Sequence, residues 1–176
     1  MLFLGAAALT ASAQHQGHGG HHPLGRSAAA PYAGFQDRPI KALSQQQIDD
    51  LQAGRGMGLA LAAELNGYPG PLHVLEHEQA LGLTPGQRSR MENLMAQMRA
   101  DAVRAGEAVV AAERALDRLF ADGTASEEAL SEAVRTATRA QSEVRFIHLK
   151  THIKVRSELT AEQIAAYNRV RGYAAK

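Results

Sequence analysis

The chain has 176 residues, no cysteine, no tryptophan, a formal charge of +1 and 45% apolar residues. Alanine fills 34 positions, against four Phe and four Tyr, so the composition favours helix over sheet and a thin core between two or three helices rather than a thick enzyme core. The absence of thiols excludes a disulfide framework, thiolate metal sites, iron–sulfur clusters and cysteine nucleophiles, and the near-zero charge argues against a nucleic-acid partner.

Residues 1–13 (MLFLGAAALTASA) form an apolar run closed by Ala11-Ser12-Ala13, the small-residue pattern that signal peptidase accepts. They read as a signal peptide that directs the protein to a periplasm, although no Lys or Arg precedes the run. The run is short of the roughly 20 apolar residues that span a bilayer. Residues 14–42 read as a leader rich in Gly, His, Ala and Pro, without apolar period and expected to be disordered. Its histidines, His15, His18, His21 and His22, can chelate Cu(II), Ni(II) or Zn(II) as neutral imidazoles. Cleavage after Ala13 would make His15 the second residue and add the terminal amine as a donor. The alternative is a solvated linker that chelates weakly.

Residues 43–176 read as a single helical domain. Ser44 with Gln47 makes a capping-box pattern ahead of Ile48 and Leu51, so a short helix begins there. Gly54-Arg55-Gly56-Met57-Gly58 interrupts it, Leu59 to Leu65 resumes, and Asn66-Gly67-Tyr68-Pro69-Gly70-Pro71 ends it. The glycine run follows no strand and lacks the Lys of a phosphate loop, so no nucleotide site is expected at Arg55. Pro71 suits the first turn of a helix running from Leu72 to about Leu81 and stopping at Gly82.

Two long helices follow. Thr84 is an N-cap with Pro85 and Gln87 behind it, and an apolar stripe at three- and four-residue steps runs from Met91, Leu94, Met95 and Met98 to Leu116 and Leu119. At ~1.5 Å per residue this helix is on the order of 55 Å long. Asp122-Gly123 ends it, and Ser126 with Glu127 and Glu128 opens its partner, whose stripe includes Leu130, Val134, Ala137, Val144, His148 and Val155. The short loop makes the pair an antiparallel hairpin. A last short helix opens at Thr160 and carries Ile164, Tyr167 and Val170. The expected fold class is therefore all-α, a long antiparallel helical hairpin with short flanking helices. Charge divides along it, with nine acids against five arginines from Asp101 to Glu143 and seven bases against two acids from Arg145 to Lys176. Solvated helix faces are the first reading of this division, and a polarised surface for partly unfolded or membrane-proximal clients is the second.

Leu83-Thr84-Pro85-Gly86-Gln87 and Leu159-Thr160-Ala161-Glu162-Gln163 are two copies of L-T-x-x-Q. Physically each is a helix start, with Thr84 or Thr160 accepting from the first turn, Gln87 or Gln163 returning the bond, and Leu83 or Leu159 stapling the entry. Two copies at opposite ends of a hairpin, in an exported, alanine-rich chain, resemble the Spy/CpxP family of periplasmic proteins. That family includes ATP-independent chaperones and related heavy-metal sensors and resistance proteins. The resemblance implies a Spy/CpxP-like hairpin, a homodimer with a concave face for unfolded or envelope proteins, and expression under envelope or metal stress. A sensor would act with a membrane signalling or efflux partner. The segment from Gly54 to Pro71 departs from the chaperone members and points to the metal-associated branch. That branch's His-x-x-x-His is matched by His73 and His77, and its later His-x-x-x-Met is here His148 and His152.

Each of these pairs places two imidazoles at i, i+4, within reach of one ion. A turn near Thr124 puts residue 152 level with about residue 96, and a helix folding back from Gly82 carries His73 level with about Met95. Four imidazoles beside Glu76 or Glu78 suit Zn(II), Ni(II), Co(II) or Cu(II), while Met95 and Met98 would add softer donors favoured by Cu(I). Ordinary groove histidines are the alternative, and core packing is the first reading of Met91, Met95 and Met98. No nucleophile elbow or catalytic motif is present, so neither an enzyme nor an organic cofactor is expected.

Overall fold

The computed structural model describes residues 30–173; the expected signal peptide and the leader histidines His15, His18, His21 and His22 lie outside the described residues. The chain divides after Ala33, and the unit from Gly34 onward is helical, with no strand among the described residues. Its elements are α1 (Gln45–Gln52), α2 (Leu61–Glu64), α3 (Pro71–Glu76), α4 (Glu78–Leu81), α5 (Pro85–Ala121), α6 (Glu127–Ser157) and α7 (Ala161–Val170). The long helices α5 and α6 pack on one another along their length, α1 and α3 lie on α5, α2 lies on α6, and α4 meets α7. This is the all-α hairpin with short flanking helices that the apolar stripes predict.

The helix starts follow from their caps. Ser44, Thr84 and Thr160 each accept a hydrogen bond from the backbone N–H three residues on, and the Oε1 atoms of Gln47, Gln87 and Gln163 each accept one from the cap's backbone N–H. These reciprocal bonds satisfy donors that a bare helix end leaves open. The L-T-x-x-Q copies do more than cap. Gln87 Nε2 donates to Gln163 Oε1 at 2.9 Å and Gln163 Nε2 donates back to Gln87 Oε1 at 3.0 Å. The two helix starts are thus clasped amide to amide at the base of the hairpin, where Gln87 Nε2 also reaches Glu158 O at 2.8 Å.

Two apolar clusters hold the flanking elements to the hairpin. One joins Ile40, Leu43, Ile48 and Leu51 to Val109, Val110 and Val144. The other joins Val74 and Leu81 to Met91, Val155, Leu159 and Tyr167. Ile40 is wholly buried, so the folded unit takes in chain that the composition assigns to the leader, and Lys41 N donates to Asp117 Oδ1 at 3.1 Å. The helix expected over Leu72–Leu81 is divided at His77, whose φ of −110° and ψ of 20° leave the helical region. The bend lets Val74 and Leu81 enter the same cluster.

Gly106 explains how α1 can lie against α5. A Cβ at this position would stand 2.2 Å from Leu51 O and 2.7 Å from Leu51 C. Backbone meets backbone there, and only glycine leaves the space.

Candidate metal centre

The two clusters leave a gap along the hairpin. On α5 the first uses Val109 and Val110 and the second Met91; on α6 they use Val144 and Val155. Between these positions the chain from Ala53 to His73 arches over an open, mostly apolar cleft of ≈ 570 Å³. The imidazoles of His148 and His152 from α6 and of His73 from α3 line it, with Met95 and Met98 from α5 and Met57 from the glycine loop. His148 and His152 are placed by the helical period of α6, since they fall on the stripe that also buries Val144, Ile147, Thr151 and Val155.

His152 is 8% exposed, and its Nδ1 lies 2.7 Å from Tyr68 O. A carbonyl oxygen only accepts, so Nδ1 carries the proton and Nε2 holds the lone pair in the neutral ring. Gly70 permits this placement, since a Cβ there would be 3.1 Å from His152 Nε2. His73 is oriented in the same way, with Nδ1 2.8 Å from Glu76 Oε2, and that bond holds the Glu76 carboxyl below its ordinary range. Such outer partners fix the tautomer of ligating histidines. His148 differs. It is 3% exposed, its Nε2 is buried without a hydrogen-bond partner, and burial, followed by the charge of His152, pushes its pKa down. Burial thus favours the neutral imidazole, the form in which histidine binds a metal.

Glu64, also on the cleft wall, is 7% exposed. Its Oε1 accepts from the Tyr167 hydroxyl, and its Oε2 accepts from Gly70 N at 3.2 Å and lies 3.7 Å from His152 Nδ1. Arg171 Nε stands 3.8 Å from Oε1. Burial and the Glu64 hydrogen bond together push the Tyr167 phenol well above its ordinary range. This network ties the cleft wall to α7. Arg55 at the cleft forms an ion pair with Asp50 at 2.5 Å.

The four-histidine set is only partly assembled. His73, His148 and His152 share the cleft, whereas His77, at the break between α3 and α4, lines a separate shallow depression with Glu76 and Glu78. Among the described residues no three His, Asp or Glu side chains are arranged to hold one ion. Of the methionines, Met91 is fully buried in the core, but Met95 and Met98 are half-buried on the cleft wall, so the core reading holds for Met91 alone. The donor set that fits a metal is therefore imidazole and thioether. Met57 and Glu64 were not singled out by sequence reasoning, because one sits in a glycine run and the other on a short helix whose packing no local pattern reveals. Met57 is the one non-glycine residue among the described residues with positive φ, at 44°, a backbone region that costs an L-residue about 1–2 kcal/mol.

Comparison with models of known families, with curated proteins and with solved structures gives no match to this chain.

Proposed function

We propose that the protein is an exported, non-enzymatic binding protein of the Spy/CpxP type, and that its cleft takes up a transition-metal ion in response to metal stress. One observation carries this reading: three histidines from two elements face one cleft, two with Nδ1 held by an oxygen acceptor and the third with a buried Nε2 that no protein group satisfies. Buried polar atoms are normally paired, and a partnerless imidazole nitrogen beside oriented neighbours suits a ligand. The signal-peptide pattern supports export to a periplasm, where a membrane signalling or efflux partner would receive the signal. No described helix is long and apolar enough to cross a membrane. Calorimetric titration of the full chain with transition-metal ions tests the proposal. Tight binding that is lost in His148→Ala/His152→Ala, with helicity kept, is expected. Equal binding by the variant would leave only the leader histidines as chelators and reject the cleft.

A second reading, chaperone-like holding of unfolded envelope proteins by a homodimer, is favoured by large apolar side chains left in solvent on the long helices. Phe120, Phe146 and Ile153 are 60%, 55% and 61% exposed. Failure of the full chain to suppress aggregation of a denatured client at stoichiometric ratio would end this reading.

A further inference from the structure

Resting on the metal-binding reading, we infer that the cleft is selective for a monovalent thiophilic cation, Cu(I) or its redox-inert analogue Ag(I), held by His148 and His152 together with the thioethers of Met95, Met98 and Met57. Four observations converge. Three of the four methionines among the described residues line this one cleft, while Met91 alone is consumed by the core. Soft thioethers select Cu(I) over the divalent ions that imidazole and carboxylate serve.

The hard ligand has been withdrawn. Both oxygens of Glu64, the one acid on the cleft wall, are occupied by Tyr167, Gly70 and the flanking Arg171 and His152 contacts. With that carboxylate engaged and no cluster of three His, Asp or Glu among the described residues, Zn(II), Ni(II) and Co(II) lack the donors they need. The charge argument runs the same way. Imidazole and thioether bind a metal as uncharged ligands, and the cost of moving an ion from water into an apolar site rises with the square of its charge, so a divalent ion meets a far larger penalty than a monovalent one.

Met57 supplies the fourth observation. It is 41% exposed and so gains little from packing, and its side chain cannot form the local hydrogen bonds that make Asn or Asp tolerable at positive φ. Flanked by Gly56 and Gly58, it is a thioether on the arch that lines the cleft. Strain that packing does not repay is a mark of a functional position.

Methyl NMR of the full chain labelled at methionine Cε tests this directly, with Ag(I) as the probe and single Met→Leu variants for assignment. One equivalent of Ag(I) should shift the Met57, Met95 and Met98 methyl signals and leave Met91 in place, and Zn(II) should move none of them. Competition against a Cu(I) chelator should show affinity falling about tenfold or more in Met57→Leu/Met95→Leu/Met98→Leu, which keeps the apolar volume. Ag(I) binding without methyl shifts, or unchanged affinity in the leucine variant, would overturn the inference. Divalent ions that bind His148 and His152 as tightly as Ag(I) would overturn it while leaving the metal-binding reading standing. If neither Ag(I) nor any divalent ion perturbed the cleft histidines or methionines, both would fall.

Discussion

The two ends of the α5–α6 hairpin are made from similar helix-forming sequence and differ in what covers them. At the base, α1 to α4 and α7 close over the pair, burying two apolar clusters and leaving the cleft between them. Toward the tip burial among the described residues falls away: no residue of α5 beyond Glu113 and none of α6 before Ala137 is buried, and Lys41 reaches across only as far as Asp117. Gln141 Nε2 donating to Glu113 Oε1 at 2.7 Å stands near the boundary. Alanine-rich helices bury little against each other, so the flanking elements supply the tertiary stability and the tip relies on helix propensity and capping. The base thus carries the cleft, while the described residues at the tip stay partly or fully exposed.

The largest expected disturbance to this contrast is Gly106→Ala. The gain in helix propensity, about 1 kcal/mol, is outweighed because the new methyl meets the Leu51 backbone, and a net loss of about 1–3 kcal/mol in urea unfolding is expected. Gly86→Ala, which faces only the flexible end of Arg90, serves as the control and should be neutral or stabilising. Tyr167→Phe comes next. It removes a donor from buried Glu64 and should cost about 1–3 kcal/mol in thermal or urea unfolding, while tip variants do not reproduce the effect.

Acid should act on the base through His148. Its folded pKa is depressed, so below the unfolded value of about 6.5 the unfolded chain binds more protons, and this contribution to stability rises with pH up to that value and is lost as pH falls through the window beneath it. The slope from this one group is at most about 1.4 kcal/mol per pH unit, and His148→Phe should remove it from a pH series of urea midpoints. The smallest stability effect belongs to the tip. Phe120→Ser should change unfolding free energy by no more than about 0.5 kcal/mol, yet reduce client holding if the chaperone reading is right.

Capping chemistry made much of this fold legible in the sequence. Ser44, Thr84, Ser126 and Thr160 mark helix starts that the structure reproduces, since the interactions responsible lie within one turn. The level of His152 with Met95 and Met98 also follows from counting residues away from the hairpin turn, and the cleft brings them together. Contacts between distant segments were not legible. Nothing local distinguishes Gly106, where a backbone crosses, from Gly86, where none does. The break at His77 has no Gly or Pro to announce it, and Ile40 lies in polar surroundings that conceal its burial. For the same reason Met91 and Met95, one helical turn apart on one stripe, have different fates.

The amide clasp between Gln87 and Gln163 joins positions 76 residues apart, and that separation bears on the order of folding. The hairpin's short loop lets α5 and α6 meet first near the tip, at little cost in loop entropy, and the pairing then advances toward the base. On this order the clasp, at the end farthest from the loop, forms late. Gln87→Ala should accordingly speed unfolding in a denaturant-jump experiment while leaving the folding rate nearly unchanged. The motif that opens two helices thereby also ties together segments of chain that the loop alone leaves far apart.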